Sequence, residues 1–254
     1  MRVMSYNVKD GGLDRDGSSR LDLIAEVIRA LDPDVVALQE VNEFEARGQR
    51  ARFELERATG MRSLLGLSPS GYHGGLLVRE PGYRVLSWHA ESPSTNRVLT
   101  AARVLTPAGT RLRVAGVHLD PFSAEARLLG VLHAVSAPPG ILMGDFNVCR
   151  SDDPGVAAGM QRLPAFYRVR AAGLDGRVDD RPLSAAEAAG YVDLFQSAHP
   201  GEPVASFPSV GVRFDFIFAT PDLAERLVRC DVYDAPPTDR ASDHLPIYAD
   251  IDLS

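Results

Sequence analysis

The stretch ILMGDFN, residues 141–147, joins a short apolar run to two polar side chains. Side chains of a strand alternate between its faces, so Asp145 and Asn147 share one face while Phe146 turns into the core. The pattern therefore predicts a buried strand that leaves two polar groups at the rim of a sheet. The alternative is a plain β-turn at DFN, in which neither polar side chain is functional.

The same arrangement, a polar residue in or just after a short apolar run, recurs at four other places. The runs are VMSYN, ending at Asn7; VVALQE, ending at Glu40; VRFDFIF, containing Asp215; and SDHLPIYADI, containing Asp243 and His244. Mg²⁺ and Mn²⁺ prefer oxygen ligands, and histidine carries protons near neutral pH. Carboxylates, carboxamides and a histidine gathered at one rim therefore predict a site for a divalent cation and a phosphate.

Length and composition are those of an ordinary globular protein. The chain has 254 residues, 45% hydrophobic and 24% charged, so we expect residues 1–254 to form a single domain. No apolar run approaches the roughly 18 residues that span a membrane, and MRVMSYN leaves no room for a signal peptide. Two cysteines make no disulfide framework. We therefore expect a cytoplasmic protein, and a monomer.

The charge balance bears on the class of substrate. The formal net charge is −7, from 27 Lys and Arg against 34 Asp and Glu. A protein that holds long duplex DNA through many phosphates usually has a basic face. The acidic balance lowers the expectation of a non-specific DNA nuclease, but it does not exclude nucleic acid, because charges can be segregated on the surface.

Predicted strands and helices alternate along the chain, which is typical of a mixed α/β protein. The strand candidates are residues 2–7, 34–40, 74–79, 83–88, 98–105, 111–118, 140–145, 213–219 and 246–252. The helix candidates are residues 20–31, 44–59, 123–136 and 220–228, with Ser123 as an N-cap of the third. Residues 149–192 are the least regular part, and a helix-like segment begins at Ser184, which we expect to cap it.

The chain resembles the endonuclease/exonuclease/phosphatase superfamily, which has the DNase I-like fold. The segments that carry the resemblance are MSYNVKDGG, ALQEV, VAGVHLDPFSAEARLLG, MGDFNVCRSDD, RFDFIFAT and ASDHLPIYADI. Each segment alone is a weak signal, but six in this order, from residue 4 to residue 251, are specific. The resemblance implies an α/β four-layer sandwich, in which two mixed β-sheets are flanked by helices and the site lies at one open end of the strands.

The resemblance further implies a metal-dependent hydrolase of phosphate esters that uses Mg²⁺ or Mn²⁺. In the family pattern Glu40 is the principal metal ligand, and Asp243 helps to hold the metal. Asn7 belongs to the same metal group and would orient the phosphate or the neighbouring ligands, because a carboxamide offers both a donor and an acceptor.

The family pattern also implies a catalytic group. Asp145 would align or deprotonate the attacking water, and Asn147 would hydrogen-bond a phosphate oxygen in the transition state. His244 would contact the scissile phosphate while Asp215 accepts its other ring N–H. His118 matches the second histidine of the family, which binds phosphate and is a candidate to protonate the leaving oxygen.

Two basic residues are expected to bind substrate. Lys9 stands where family members that act on nucleic acid often carry an acidic residue, so we expect it to meet a phosphate with extra negative charge. Arg127 is also a candidate to reach the substrate, although a surface salt bridge is the favoured role for it. Branches that act at abasic DNA typically have tyrosine in place of His118, so this histidine argues against that branch.

The sequence thus predicts a phosphodiesterase for a small or lipid-type phosphodiester or a nucleotide. A nuclease acting on DNA or RNA is the alternative, although charge does not favour a nucleic-acid partner. A non-catalytic binding protein that retains the fold is less favoured, because all the main acidic and histidine positions are present.

Overall fold

The computed structural model describes residues 1–93, 96–136, 140–173 and 177–253. In these ranges two mixed six-stranded β-sheets pack face to face. The strands are β1 Arg2–Asn7, β2 Val35–Gln39, β3 Arg62–Gly66, β4 Gly74–Val78, β5 Arg84–Glu91, β6 Leu99–Leu105, β7 Arg111–His118, β8 Gly140–Asp145, β9 Val192–Asp193, β10 Asp215–Ala219, β11 Leu227–Val232 and β12 Ile247–Ile251.

The topology of the sheets explains why one end of the sandwich is polar. The first sheet has the order β11-β12-β1-β2-β4-β3, and the second has β5-β6-β7-β8-β10-β9. Strands β1 and β2 are parallel, and so are β7 and β8. These two parallel pairs face one another across the core. In a parallel pair both strands end at the same edge of the sheet. The residues that follow β1, β2, β7 and β8 can therefore meet at one end of the sandwich.

Helices cover the two outer faces of the sandwich. Their bounds are α1 Leu21–Leu31, α2 Arg50–Thr59, α3 Ala124–Val135, α4 Val156–Arg162, α5 Ala165–Ala171, α6 Arg181–Ala188, α7 Leu194–Ala198, α8 Pro221–Ala224 and α9 Thr238–Ala241. The predicted cap of α3 is confirmed, because Ser123 accepts a hydrogen bond from the amide of Ala126 at 3.2 Å. In the described ranges no helix is both long and apolar enough to cross a membrane.

Three buried clusters separate the layers. Alternate residues such as Val3, Ile141 and Ile217 fill the space between the sheets. Met4 and its neighbours pack outward against α1 and α2, and Leu142 and its neighbours pack outward against α3 and α6. The predicted four-layer α/β sandwich of two mixed sheets is therefore confirmed.

Some element predictions were incomplete. Strands β3, β9 and β11 were not predicted, and the predicted helix over residues 220–228 ends at Ala224. Strand β11 lies at a sheet edge and buries only Cys230 fully, so its sequence shows little alternation. Strand β9 has two residues, too few for any period to be visible.

The segment 149–192 is more regular than its sequence suggests. It contains α4, α5 and α6 among its described residues. Helices α4 and α5 border a small separate core that includes Met160 and Phe214, whereas α6 packs against the second sheet. The prediction that Ser184 caps a helix was wrong, because α6 begins earlier, at Arg181. The chain then turns at Gly190, whose φ is 88°, before a separate helix, α7, begins.

Candidate active site

Strand register brings three of the predicted site residues side by side. His118 at the end of β7 pairs with Asp145 at the end of β8, and Asp145 pairs in turn with Asp215 at the start of β10. All three continue the inward-facing rows of their strands, since Met143 and Ile217, two residues from Asp145 and Asp215, lie in the core between the sheets. The polar groups therefore close the end of that core.

Asn7 connects the two sheets at this end. It terminates the inward row of β1, and its amide nitrogen donates to Oδ2 of Asp145 at 3.0 Å and to Oε1 of Glu40 at 3.3 Å. Its amide oxygen accepts a hydrogen bond from the backbone of Lys9 at 3.0 Å. In this orientation Asn7 holds two carboxylates in place, and its oxygen is committed to the backbone.

Glu40 is set by the loop that follows β1. The residue itself has a φ of 58°, and its Oε2 accepts from the amide of Asp10 at 3.1 Å. The amide of Gly11 donates to the carbonyl oxygen of Glu40 at 2.6 Å. Gly11 has a φ of 66°, and a Cβ there would collide with the carbonyl oxygen of Asn42. Only glycine therefore lets this loop lie against Glu40.

His244 and Asp215 form a buried charged pair. Nδ1 of His244 donates to Oδ2 of Asp215 at 2.8 Å, and Nε2 lies 3.9 Å from Oδ2 of Asp145. Burial alone lowers the pKa of His244, but the two carboxylates more than offset that effect and raise its pKa to about 10. The imidazole is therefore a cation at neutral pH, held with one N–H toward Asp215.

Asp145 is the most connected carboxylate of the site. Its Oδ1 accepts from the amide of Asn147 at 2.8 Å, and its Oδ2 lies 3.7 Å from Nε2 of His118. Burial raises the pKa of Asp145 to about 7, against the opposing charge of His244. A carboxyl group with a pKa near the working pH is suited to accept and release a proton.

These two shifts predict how stability depends on pH without metal. Both pKa values, about 7 for Asp145 and about 10 for His244, are raised above their ordinary values. A raised pKa contributes stability that is complete at low pH and is lost as pH rises through the folded value. We expect the unfolding midpoint in chelator to fall between about pH 5 and about pH 9. The unfolding midpoint of the variant Asp145→Asn should fall less steeply than that of the wild type up to about pH 8. Thermal unfolding monitored by circular dichroism checks this, and parallel wild-type and variant curves would contradict it.

His118 differs from His244 in its electrostatic state. Its ring is buried, and burial, followed by the charges of Arg97 and His244, lowers its pKa well below the ordinary value. Among the described residues its Nδ1 has no hydrogen-bond partner. A neutral imidazole can donate a hydrogen bond, so this environment favours phosphate binding over protonation of the leaving oxygen.

Asn147 lies in the cleft directly beside the buried group. Its φ is 49°, and its amide nitrogen donates to the carbonyl of Leu119 at 2.9 Å. That contact uses one of the two amide hydrogens and fixes the side chain. The other hydrogen is available to a ligand in the cleft, which Asn147 lines.

Lys9 and Asp243 form an ion pair at the mouth of the site. Nζ of Lys9 lies 3.1 Å from Oδ2 of Asp243, and both side chains are partly exposed. Both residues line the same cleft as Glu40. The structure thus brings together two residues that were predicted to act separately, one on the substrate and one on the metal.

Among the described residues Arg127 forms no salt bridge, at the surface or elsewhere. Its side chain is almost fully buried, and its two terminal nitrogens donate to the carbonyls of Asp120 at 3.1 Å and Arg170 at 2.7 Å. It borders the cleft but ties the loop after β7 to the end of α5. Its observed contacts are therefore those of a residue that positions the wall of the cleft.

A cleft of about 530 Å³ opens beside this polar group. One end carries the residues described above. Another part of its lining is apolar and aromatic and comes mainly from the loop after β7, the α4–α5 segment and the approach to β10. These lining residues are Pro121, Phe122, Leu163, Pro164, Tyr167, Phe207, Val210 and Phe214. The cleft therefore joins a charged end to an apolar wall, as ligand sites commonly do.

Several cleft residues could not be identified from the sequence. Arg97 and Tyr72 line the cleft, and the Arg97 guanidinium carbon lies 4.6 Å from the centre of the Tyr72 ring. The ring of Phe122 lies nearly parallel to that of Tyr167, with an angle of 23° and centroids 6.5 Å apart. These four residues come from three separate loops and a helix, and no local pattern links them.

The donor set at the polar end suits a hard divalent cation. Oxygen ligands from Glu40 and Asp243 face the cleft. In the described part of the chain the ligand atoms of Asp145, Asp215 and His244 also lie within 4.8 Å of one another. The raised pKa of His244 favours its protonated form at neutral pH, and an imidazolium has no free lone pair, so this buried group suits proton handling better than metal binding. Glu40 with Asp243 is the better fit for the cation.

The solved structures with a similar fold are distant in sequence. An endonuclease/exonuclease/phosphatase from Bacteroides vulgatus has a TM-score of 0.74 at 18% identity, with 100% of this chain and 98% of that chain covered. A mannosyl-6-phosphatase from Bacteroides thetaiotaomicron has a TM-score of 0.68 at 16% identity, with both chains covered completely, 100% each. An AP endonuclease from Archaeoglobus fulgidus has a TM-score of 0.69 at 21% identity, again with 100% of each chain covered.

At these identities the structural likeness shows a shared fold. No curated protein matches the sequence significantly. The family itself is established by a sequence match, since the model of the Endonuclease/Exonuclease/phosphatase family matches residues 4–244. This match spans every strand-end residue from Asn7 to His244. The chain therefore belongs to the endonuclease/exonuclease/phosphatase family, whose members hydrolyse phosphate esters.

Proposed function

We propose that this protein is a divalent-cation-dependent phosphodiesterase for a small or lipid-type phosphodiester or a nucleotide. One observation carries the proposal. A continuous set of contacts runs from Glu40 through Asn7 to Asp145, and continues by charge to His244 and Asp215. These residues lie at one end of a single cleft, which supports the proposal that Glu40 binds the cation, Asp145 acts as the base and the imidazole of His244 stabilises negative charge.

Glu40 and Asp243 are the proposed ligands of Mg²⁺ or Mn²⁺, and Asn7 orients the carboxylate of Glu40. When bound, such a cation polarises a phosphoryl oxygen and neutralises charge that develops in the transition state. A carboxylate has about four lone-pair sites on its two oxygens, so Asp243 can act as a ligand while Lys9 remains beside it. The ammonium group of Lys9 has further N–H donors for a substrate phosphate.

Asp145 is the proposed general base. Its carboxylate faces the cleft, and the hydrogen bonds from Asn7 and Asn147 fix both of its oxygens. In ionised form it takes a proton from a water that attacks the phosphorus in line. No covalent intermediate with the protein is required, because the nucleophile is water.

The remaining side chains stabilise charge on the phosphate. Asp215 keeps His244 charged, so Nε2 can donate a charge-assisted hydrogen bond to a phosphoryl oxygen. Asn147 and the neutral ring of His118 supply further donors. Fixed donors directed at a developing negative charge commonly contribute about 100-fold or more to turnover.

The shape of the cleft supports the proposed substrate class. A volume of about 530 Å³ admits a small molecule, and the apolar wall suits a leaving group with rings or an acyl chain. A mannosyl-6-phosphatase and an AP endonuclease share this fold, so the fold alone does not select the substrate.

A substrate panel tests the proposed function. It would contain a bis-aryl phosphodiester, a glycerophosphodiester, nucleoside mono- and diphosphate esters and a sugar phosphate monoester, each with Mg²⁺, with Mn²⁺ and with chelator. Hydrolysis of at least one diester faster than any monoester, only with cation, supports the proposal. Faster hydrolysis of the monoesters would make the protein a phosphatase. If no compound is hydrolysed under any of these conditions, the result would favour a non-catalytic binding protein that retains the fold.

Binding to random duplex DNA is expected to be weak at physiological salt, because the net charge is −7. Fluorescence anisotropy in Ca²⁺, chosen to suppress turnover, measures it over a series of salt concentrations. Sub-micromolar affinity with a steep dependence on salt would contradict the expectation and favour a nuclease.

A further inference from the structure

Arg97 is a buried cation at the edge of the cleft, two residues before β6. Its residual exposure is 5%, and it lines the same cleft as His118 and Glu40. Nη1 donates to the carbonyl of Asn96 at 2.9 Å and to Oγ of Ser70 at 3.2 Å. These contacts and the ring of Tyr72 hold the guanidinium group in place.

The guanidinium group of Arg97 lacks the partner that a buried charge normally has. Among the residues that the structure describes, its hydrogen bonds go only to Asn96 and Ser70, and its Nε has no hydrogen-bond partner. The carboxylates of Glu40, Asp145 and Asp120 act on it only from beyond ion-pair distance. Burying a charge without a paired counter-charge is costly, so such groups commonly mark binding sites. An anionic ligand would supply the missing partner.

The other basic side chains that border the described cleft are committed elsewhere. Lys9 is paired with Asp243, and Arg127 donates to two backbone carbonyls. Arg162 donates to the carbonyl of Val210 at 3.0 Å. Arg127 shares the unpartnered Nε, but both of its terminal nitrogens are held by backbone carbonyls, and Arg162 is exposed. Among the described residues Nη2 of Arg97 has no hydrogen-bond partner, so Arg97 is a buried cleft cation with a complete terminal nitrogen open to a ligand.

The negative charge at the polar end of the cleft favours a fixed positive group beside a bound phosphate. That end carries several carboxylates, contributed by Asp10, Glu40, Asp145 and Asp243. A phosphate that approaches them is repelled unless positive charge is already in place. A bound cation and His244 supply part of that charge, and Arg97 adds a fixed positive charge from the side wall.

We propose that Arg97 binds a non-bridging oxygen of the substrate phosphate that is hydrolysed. The inference rests on the proposed function, since it concerns the same phosphate. Arginine suits this task because its planar fork presents several N–H donors to phosphate oxygens, whereas lysine offers a compact point charge. Asn96, Ser70 and Tyr72 act as positioning residues for the guanidinium group.

Kinetics on a substrate with a single phosphate test the assignment. With a bis-aryl phosphodiester and Mn²⁺, Arg97→Met should lower kcat/KM by about 10- to 100-fold, the effect expected for losing a charge-assisted hydrogen bond. The kcat/KM of Arg97→Lys should lie between the values for Arg97→Met and the wild type. The matched control is Arg113→Met, because Arg113 is equally buried, also has an unpartnered terminal nitrogen and does not line the cleft. That control should keep wild-type kcat/KM.

A binding measurement without turnover separates this inference from the proposed function. Inorganic phosphate, titrated calorimetrically in the presence of Ca²⁺, should bind wild-type protein and Arg113→Met with similar affinity. Arg97→Met should bind it at least about tenfold more weakly. If the wild type hydrolyses no phosphate ester but this contrast holds, the proposed function fails while the anion-binding role of Arg97 stands.

Unfolding midpoints of all variants guard against a purely structural effect. Arg97→Lys keeps the positive charge and serves as the test if Arg97→Met does not fold. The assignment is overturned if folded Arg97→Met, or Arg97→Lys in its place, matches the wild type in both kcat/KM and phosphate affinity. The assignment is also overturned if Arg113→Met loses as much kcat/KM and phosphate affinity as Arg97→Met does.

Discussion

Replacing Glu40 with Gln is expected to lower turnover by about 1,000-fold at limiting Mg²⁺, the scale of losing several kcal/mol of cation-mediated stabilisation. A neutral amide attracts a hard cation much less than a carboxylate does. The replacement preserves shape and keeps one of two hydrogen bonds, because Asn7 and Asp10 donate to different oxygens of Glu40 and an amide has only one. The lost bond lies at the partly exposed edge of the cleft and not in the core between the sheets. The fold should therefore persist. Initial rates on a bis-aryl phosphodiester, measured across a Mg²⁺ series, give the comparison.

The matched control for this variant is Glu43→Gln. Glu43 lies three residues further along the same loop, is exposed and does not line the cleft. It undergoes the same chemical change, so its activity should equal that of the wild type. If Glu40→Gln keeps wild-type activity at limiting Mg²⁺, Glu40 is not a ligand of the cation.

Asp145→Asn and His244→Ala form the second large prediction. Each should lower kcat by at least ~100-fold, because one removes the base and the other removes a fixed positive charge beside the phosphate. Nε2 of His244 lies 3.9 Å from Oδ2 of Asp145, so the two groups act on the same transition state. The double variant should therefore lose much less than the product of the single losses.

Steady-state kinetics of the four proteins in this cycle provide the test. Asp152→Asn and His89→Ala are the matched controls, since both side chains are exposed and neither lines the cleft. Either single variant that retains most of its activity removes that residue from the mechanism. Full additivity in the double variant would show that the two groups act in separate steps.

The strand-end residues were predictable because a strand has a period of two. Asp145 and Asn7 follow inward-facing apolar residues, so the alternation that fills the core also fixes the direction of the polar side chain at its end. The hydrogen bond from His244 to Asp215 followed from the family pattern, and the structure has it at 2.8 Å. Family order and strand period together were enough to place this buried group.

Other features depend on tertiary contacts that leave no local signal. Arg97 and Tyr72 lie on different loops, and only packing shows that one stacks over the other. Helices α4 and α5 are short, with seven residues each, and bury few residues of their own, so the segment looked irregular in sequence. The apolar wall that they supply was therefore not foreseen.

Protonation states were equally inaccessible from sequence. His118 and His244 are both histidines at strand ends or loops of the same site, yet burial leaves one neutral while two carboxylates charge the other. The difference arises from distances of a few ångströms between groups far apart in the chain. Likewise, the pairing of Lys9 with Asp243 depends on how two loops meet.

Turnover of a bis-aryl phosphodiester by metal-depleted wild-type protein tests the central claim most directly. We expect no hydrolysis in chelator and a saturable return of activity as Mn²⁺ or Mg²⁺ is added back. At saturating cation the turnover of Asp145→Asn should remain at least ~100-fold slower than that of the wild type. Full activity in chelator, or equal restoration of the wild type and Asp145→Asn, would contradict it.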